Sequence, residues 1–322
     1  MSIKLIVIKG RDTYDMSELV VDVKWQGRRG AAARSLAVNF IDDRSSGHAR
    51  AGLDVENGHQ CIFSWQGKEL FRGMFHRQDR SSGKTMSALA YDNGIYLANN
   101  RDTFLYTNQT ASDIFKDCCR RFGIPCGPVA DTRYRIPELP KPAATGWDVI
   151  CDALGLTYKA RGVRYHPVCV KDRMQMLERR ENLTQWVLET GVSLESYGLT
   201  KSIEKINTRI KLMSREGDVL AQEANRGLEA KIGVFQEVRT IHDDMNQGQL
   251  RELARTTLNE SSRPARSLSL SGLGAADVIT GRGVYVVIKE LDVKRTFYVE
   301  GDTHTFLGSS HRMSLSLSSE NA

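Results

Sequence analysis

The chain has 322 residues, 40% of them hydrophobic and 26% charged, and a formal net charge of +6. A chain of this length buries sizeable cores without a metal or disulfide staple. Its basic residues are dispersed in pairs such as Arg28-Arg29, Arg120-Arg121 and Arg179-Arg180, with no motif of a sequence-specific nucleic-acid binder.

From the start, Met1 to Lys9 holds an apolar run too short for a secretory signal, and no stretch reaches the roughly 18 apolar residues of a membrane helix. The expectation is synthesis in the cytoplasm, without membrane insertion. Residues 1–100 then read as antiparallel β. Strands are expected at Ile3–Ile8, Leu19–Trp25, Arg34–Phe40, Gln60–Gln66, Glu69–Arg77 and Thr85–Tyr91, several with the period-2 alternation of a half-buried strand. Gln66-Gly67-Lys68 is a tight turn between two of them.

The pattern changes at Thr110. Ala111, Ile114, Phe115, Cys118 and Phe122 fall at helical spacing, with Thr110 and Asp113 as a capping box and Gly123 as the left-handed stop. A second helix is expected from Gly146 to Leu154, opened by Thr145 and closed by Gly155. A hairpin is expected next, Leu156–Ala160 and Val163–Val170 around Arg161-Gly162, and then a strand at Met174–Glu178. Residues 101–185 thus form a small α/β insert. From Trp186, β alternation returns at Ile206, Thr208, Ile210 and Leu212, at Leu268 and Leu270, and at Met313, Leu315 and Leu317. A helix around Gly248–Asn259 interrupts it, within 241–262.

An internal repeat resets the fold reading. Ala33-Arg34-Ser35-Leu36-Ala37-Val38 matches Ala265-Arg266-Ser267-Leu268-Ser269-Leu270. Downstream, Phe71 leads to Met86-Ser87-Ala88-Leu89 as Phe297 leads to Met313-Ser314-Leu315-Ser316. The expected fold is mainly β (α+β): two related antiparallel β-barrels, 1–100 and 186–322, flanking the insert at 101–185. Arg34, Arg266, Met86 and Met313 are the repeat positions expected to be structural.

No constellation for catalysis is found. GxSxG, HExxH, a P-loop and a GxGxxG opening a helix are all missing, and Gly281-Arg282-Gly283 precedes a strand, so it is a turn. His304 and His311, with Asp302 nearby, could suggest a metal or acid–base site. The stronger reading is a β-hairpin whose histidines cap strand ends or sit on its edge. His242 beside Asp243 and Asp244 sits before a helix, whose positive end the carboxylates stabilise. Six cysteines, at 61, 118, 119, 126, 151 and 169, form no CxxC pair and read as small core side chains. Trp25, Trp65, Trp147 and Trp186 could serve as sugar or base platforms, but Trp25 and Trp65 sit in strand patterns and Trp147 in a helix, so core or interface packing is the default. No catalytic, cofactor or metal-binding residue is assigned, and no cofactor is expected.

Several segments resemble the XkdQ/YqbQ-type hub proteins of defective prophages and contractile-tailed phages. They are Trp25-Gln26-Gly27, Ala33-Arg34-Ser35-Leu36, the run from Trp65 to Gly73, Tyr91-Asp92, and Thr107-Asn108-Gln109-Thr110-Ala111. Arg179-Arg180-Glu181-Asn182 with Trp186-Val187-Leu188-Glu189-Thr190-Gly191-Val192 is the most specific, and Tyr298-Val299-Glu300 through Asp302 to Leu315 also fits. The resemblance implies a structural, non-enzymatic baseplate hub with two tail-tube-like barrels. It implies a homotrimer that adapts a hexameric tail tube to a central spike beside other baseplate proteins, in the virion tail or a tail-like particle. DNA would pass its lumen without sequence-specific binding. The alternative is a cell-wall-degrading or peptidoglycan-binding tail-tip protein.

Overall fold

The computed structural model describes residues 3–42, 55–80, 84–241 and 245–319. His242, Asp243 and Asp244 lie outside the described residues. Two compact units emerge: Met1–Tyr197 together with Ser269–Ala322, and Gly198–Leu268.

The described residues open with β1 (Ile3–Lys9), β2 (Asp12–Asp15), β3 (Val20–Arg28), β4 (Ser35–Ile41), β5 (Gln60–Trp65), β6 (Lys68–Arg80) and β7 (Thr85–Tyr91). Alternation dictates their inner face: Leu5, Val7, Val23, Trp25, Leu36, Val38, Phe40, Phe63, Phe71 and Phe75 are all buried in one core. Gln66 and Gly67 both take positive φ, 49° and 80°, to turn β5 into β6.

A short helix, α1 (Gly94–Asn99), leads to β8 (Arg101–Thr110), α2 (Ala111–Arg121), β9 (Cys126–Val129), β10 (Arg135–Thr145), α3 (Gly146–Arg161), β11 (Tyr165–Val170) and β12 (Arg173–Glu178). Reciprocal capping boxes open α2 at Thr110 with Asp113 and α3 at Thr145 with Asp148. Phe104, Ile114, Phe115, Ile136, Ile150 and Met176 share a second core here. The expected break at Gly155 does not occur. A Cβ at Gly155 would meet nothing within 4 Å, so the glycine sits on an open helix face and the helix runs on to Arg161. It stops at Gly162, whose φ of 67° supplies the left-handed cap. The segment Leu156–Ala160 is therefore helical, and the hairpin instead pairs β11 with β12.

Next come β13 (Leu183–Glu189) and β14 (Leu194–Ser202). The unit Gly198–Leu268 contains β15 (Arg209–Met213), β16 (Val219–Ala224), α4 (Arg226–Ile232), β17 (Gln236–Thr240) and α5 (Gln247–Ser261). Its sheet runs β16-β15-β17, and Leu250, Ala254 and Leu258 of α5 pack on Ile210 and Leu212. The chain ends with β18 (Ala265–Leu273), β19 (Gly283–Ile288), β20 (Val293–Leu307) and β21 (Ser310–Ser318).

One 13-stranded sheet runs β14-β18-β21-β20-β3-β4-β7-β6-β5-β1-β2, with β19 paired to both β20 and β13. Two strand sets of the same order lie within it. The first is β3-β4-β7-β6-β5-β1 and the second is β14-β18-β21-β20-β19-β13. The match extends to single residues. β6 bulges between Phe75 and Arg77, opposite Ala90 and Leu89, and β20 bulges between Val299 and Gly301, opposite Leu317 and Ser316. Asp42 N–H donates to Lys84 O at 2.8 Å where Gly274 N–H donates to His311 O at 2.8 Å. These positions align Met86 with Met313 and Ser35 with Ser267, in the register of the sequence repeat. The sets differ in one pairing: β1 is antiparallel to β5, while β13 is parallel to β19.

Candidate functional site

The two sets join inside the chain where β20 meets β3. Beyond its bulge, Gly301–Leu307 of β20 pairs antiparallel with Asp22–Arg28 of β3, while the earlier part of the same strand pairs with β19. The densest buried polar cluster among the described residues sits on this seam.

Its centre is Arg34, just before β4. The guanidinium makes two parallel hydrogen bonds to Asp302 of β20, one at 2.9 Å from an Nη nitrogen to Oδ1 and a second to Oδ2. Asp302 Oδ1 also accepts from Thr280 N–H and Thr280 Oγ1, both at 2.6 Å. Arg34 lies over the Trp25 ring, 4.1 Å from its centroid. Gly27 makes room for it: a Cβ there would stand 2.1 Å from the guanidinium. The Arg34 backbone N–H donates to Asp92, which also accepts from Gly94 N–H and so fixes the turn into α1. Burial alone would raise the Asp302 carboxyl, but the Arg34 charge and hydrogen bonds outweigh it and hold the group below the usual carboxylate range. Asp92 has no such partner side chain, and burial pushes it up to about 7.

His304 is fully buried beside this pair. Its Nε2 lies 3.1 Å from Val278 O, and its Nδ1 lies 3.0 Å from His311 Nε2. A carbonyl can only accept, so Nε2 carries the proton, Nδ1 accepts, and His311 Nε2 donates. Burial pushes both imidazoles down to about 4, so both are neutral near pH 7. His311 stacks on Phe306 at 4.1 Å, and Trp65 meets Phe306 at 5.0 Å. The histidines therefore neither cap strand ends nor decorate an edge. They tie the β20–β21 hairpin to the aromatic core.

A second pair lies along the same seam. Arg179 bonds Glu300 and also donates to Ser318 Oγ at 2.9 Å, with its guanidinium 4.4 Å over the Tyr298 ring. Arg29 reaches Glu300 from β3's end at 3.1 Å. Burial works against the Glu300 carboxylate, but Ser318, Arg179 and Arg29 hold it below its ordinary range. Both carboxylates of the seam are thus occupied by guanidinium partners, and both histidines by each other. Such an arrangement fixes register, because a one-residue slip of β20 would turn Asp302 and His304 to the opposite face.

Of the repeat positions, Arg34 is buried in this cluster, whereas Arg266 on β18 is exposed. Met86 and Met313 are both buried, opposite Arg80 and His304 respectively. Asp302 and His304 were visible in the sequence as a pair, but nothing local linked them to Arg34. Glu300, Ser318 and Thr280 carry no sequence signal of their role. Cys61, Cys118, Cys119 and Cys169 are buried, while Cys151 is exposed. Trp25 and Trp65 are core residues, and Trp186 is 47% exposed. Among the described residues, no three metal-ligating side chains converge, and no helix is long and apolar enough to cross a membrane.

Comparison with known proteins follows the same extent of chain. The profile of the family described as YQBQ-like matches residues 23–318. The phage-like element PBSX protein XkdQ of Bacillus subtilis strain 168 is 31% identical over 325 residues, covering 99% of this chain and 98% of that protein. Among solved structures, the 43 kDa tail protein of prophage MuSo2 from Shewanella oneidensis superposes with a TM-score of 0.75 at 12% identity, over 99% of this chain and 98% of that one. The E. coli c3393 protein, a type VI secretion component with structural similarity to T4 tail proteins gp27 and gp5, gives a TM-score of 0.56 at 12% identity, over 94% and 74%.

Proposed function

The chain belongs to the YqbQ-like family, and we propose on that premise that it is a structural baseplate hub of a phage tail or tail-like particle. In this reading it assembles as a homotrimer between a hexameric tail tube and a central spike. Each strand set closes as a tube-type barrel, with residues 101–185 as an insert between them, and the role is mechanical rather than catalytic. The observation that carries the reading is the duplicated strand set, matched down to its bulge. Three chains with two equivalent sets each present six similar modules about one axis, which a six-fold neighbour can meet on one side and a three-fold one on the other. The fold shared with prophage tail proteins supports it. So does the seam chemistry, which holds the two sets in a fixed register.

Light scattering behind a sizing column tests the reading. The expected species has three times the chain mass of 36.1 kDa and persists at high salt. A monomer at all concentrations, even with the tube and spike proteins added, overturns it.

A further inference from the structure

We propose that the cavity between α3 and the β20 seam binds a small phosphate ester, a phosphoryl group carried on one planar ring. This goes beyond the hub reading and does not depend on how copies of the chain assemble.

The cavity measures about 230 Å³ and is framed by α3, the chain around the start of β11, the end of β3 and part of β20. All of these belong to one compact unit. Trp147 Nε1 donates to Gly30 O at 3.0 Å and so ties α3 to the end of β3. Trp147, Leu154 and Tyr158 lie on one face of α3 and give the cavity an apolar wall. Gly155 lines it too, and a Cβ there would meet nothing within 4 Å, so the wall is open at that point. Pockets for drug-sized ligands start at roughly 300 Å³. A cavity of this size suits a single ring with one charged substituent.

The rest of the lining is cationic. Arg29, Arg164 and Arg179 face the single carboxylate of Glu300. Glu300 is already engaged by Arg29, Arg179 and Ser318. Arg164 has no ion pair among the described residues and lies over the Tyr158 ring at 3.9 Å. Three guanidiniums against one carboxylate leave an excess of two positive charges. A phosphate monoester, with a charge of about −1.5 to −2 at pH 7, balances that excess where a carboxylate does not. Burial, with the like charges of Arg29 and Arg164 added, outweighs Glu300 and works against the Arg179 cation. The Arg179 Nε is also buried without a hydrogen-bond partner.

His166 completes the lining, and neither of its ring nitrogens has a hydrogen-bond partner among the described residues. Gly281 admits the ring, since a Cβ there would stand 1.9 Å from it. Burial, and then the charges of Arg34, Arg179 and Arg29, hold this imidazole down to about 4. Near pH 7 it is therefore neutral, with one nitrogen to donate and one to accept. A phosphoryl oxygen placed here meets unrelieved positive charge, an unpaired imidazole and guanidinium forks of matching geometry.

Isothermal titration of the full chain with phenyl phosphate tests the site, with inorganic phosphate and benzoate as comparators. Saturable binding of one phenyl phosphate per chain is expected. Arg164→Ala removes a charge that pairs with nothing else in the chain, and Gly155→Leu fills the open point of the wall. Each should weaken binding about tenfold or more without lowering the thermal melt. Absence of saturable binding overturns the proposal, as does an affinity that either variant leaves unchanged. Benzoate binding as tightly as phenyl phosphate overturns the phosphoryl assignment. Inorganic phosphate binding as tightly overturns the role given to the apolar wall.

Discussion

Removing the Asp302 carboxylate would leave Arg34 buried without its counter-charge. Breaking one side of a buried pair costs about 3–5 kcal/mol, so Asp302→Ala is expected to lower the unfolding free energy by that order in denaturant titration. Arg266→Ala, on an exposed site, should shift it by less than about 0.5 kcal/mol. The contrast shows how far residues could be read from sequence. Arg34 and Arg266 are alike in their local strings, and only the strand that arrives some 270 positions later in the chain separates them.

The histidines set the acid side of stability. His304, His311 and His166 are held down to about 4, each chiefly by burial, against an unfolded value near 6.5. Between these values the unfolded chain binds more protons than the folded one. Their contribution is therefore complete above about pH 6.5 and is lost as the pH falls toward 4. Asp92, raised to about 7, works in the opposite direction, its share fading as the pH rises from the carboxylate range. Three groups outweigh one, so the urea midpoint should fall from pH 7 to pH 5. For the fully buried His304 the full window is worth on the order of 3 kcal/mol. His304→Asn should flatten the slope as well as lower the midpoint, and a slope identical to the parent's would refute the assignment.

At the scale of elements, alternation and capping residues carried most of the information. The six strands expected before Tyr91 are all present within a few residues, and the Thr110 box opens α2 as anticipated. A clear failure concerns two glycines. Gly155 and Gly162 look alike in the string, yet only Gly162 has a left-handed backbone. Leu156 and Ala160 fit either a strand or the next helical turn, and packing of Leu156 against the core around Ile114 and Phe115 settles the matter in favour of helix. This yields a paired prediction. Gly155→Ala should stabilise the protein by about 0.5–1 kcal/mol through helix propensity, and Gly162→Ala should destabilise it by about 1 kcal/mol. Thermal melts of the two variants should move in opposite directions.

At the scale of the molecule, the repeat was legible as short strings, but the continuity of the sheet was not. The pairing of β3 with β20 joins residues from opposite ends of the chain, and period-2 patterning says only that each is a strand, never which strand lies beside it. The duplicated order and the coincident bulges emerge only once the pairing is known.

The length of β20 has a mechanical consequence. Its first half belongs to one strand set and its second half lies against the other, with β21 along most of its far side. A pull that slides the sets past each other along this strand loads hydrogen bonds on both flanks together, in shear. Peeling a hairpin from its tip would instead break them one after another. Along this direction the strand acts as a tie-rod, and the joint is stiffest where force would cross from one half of the chain to the other.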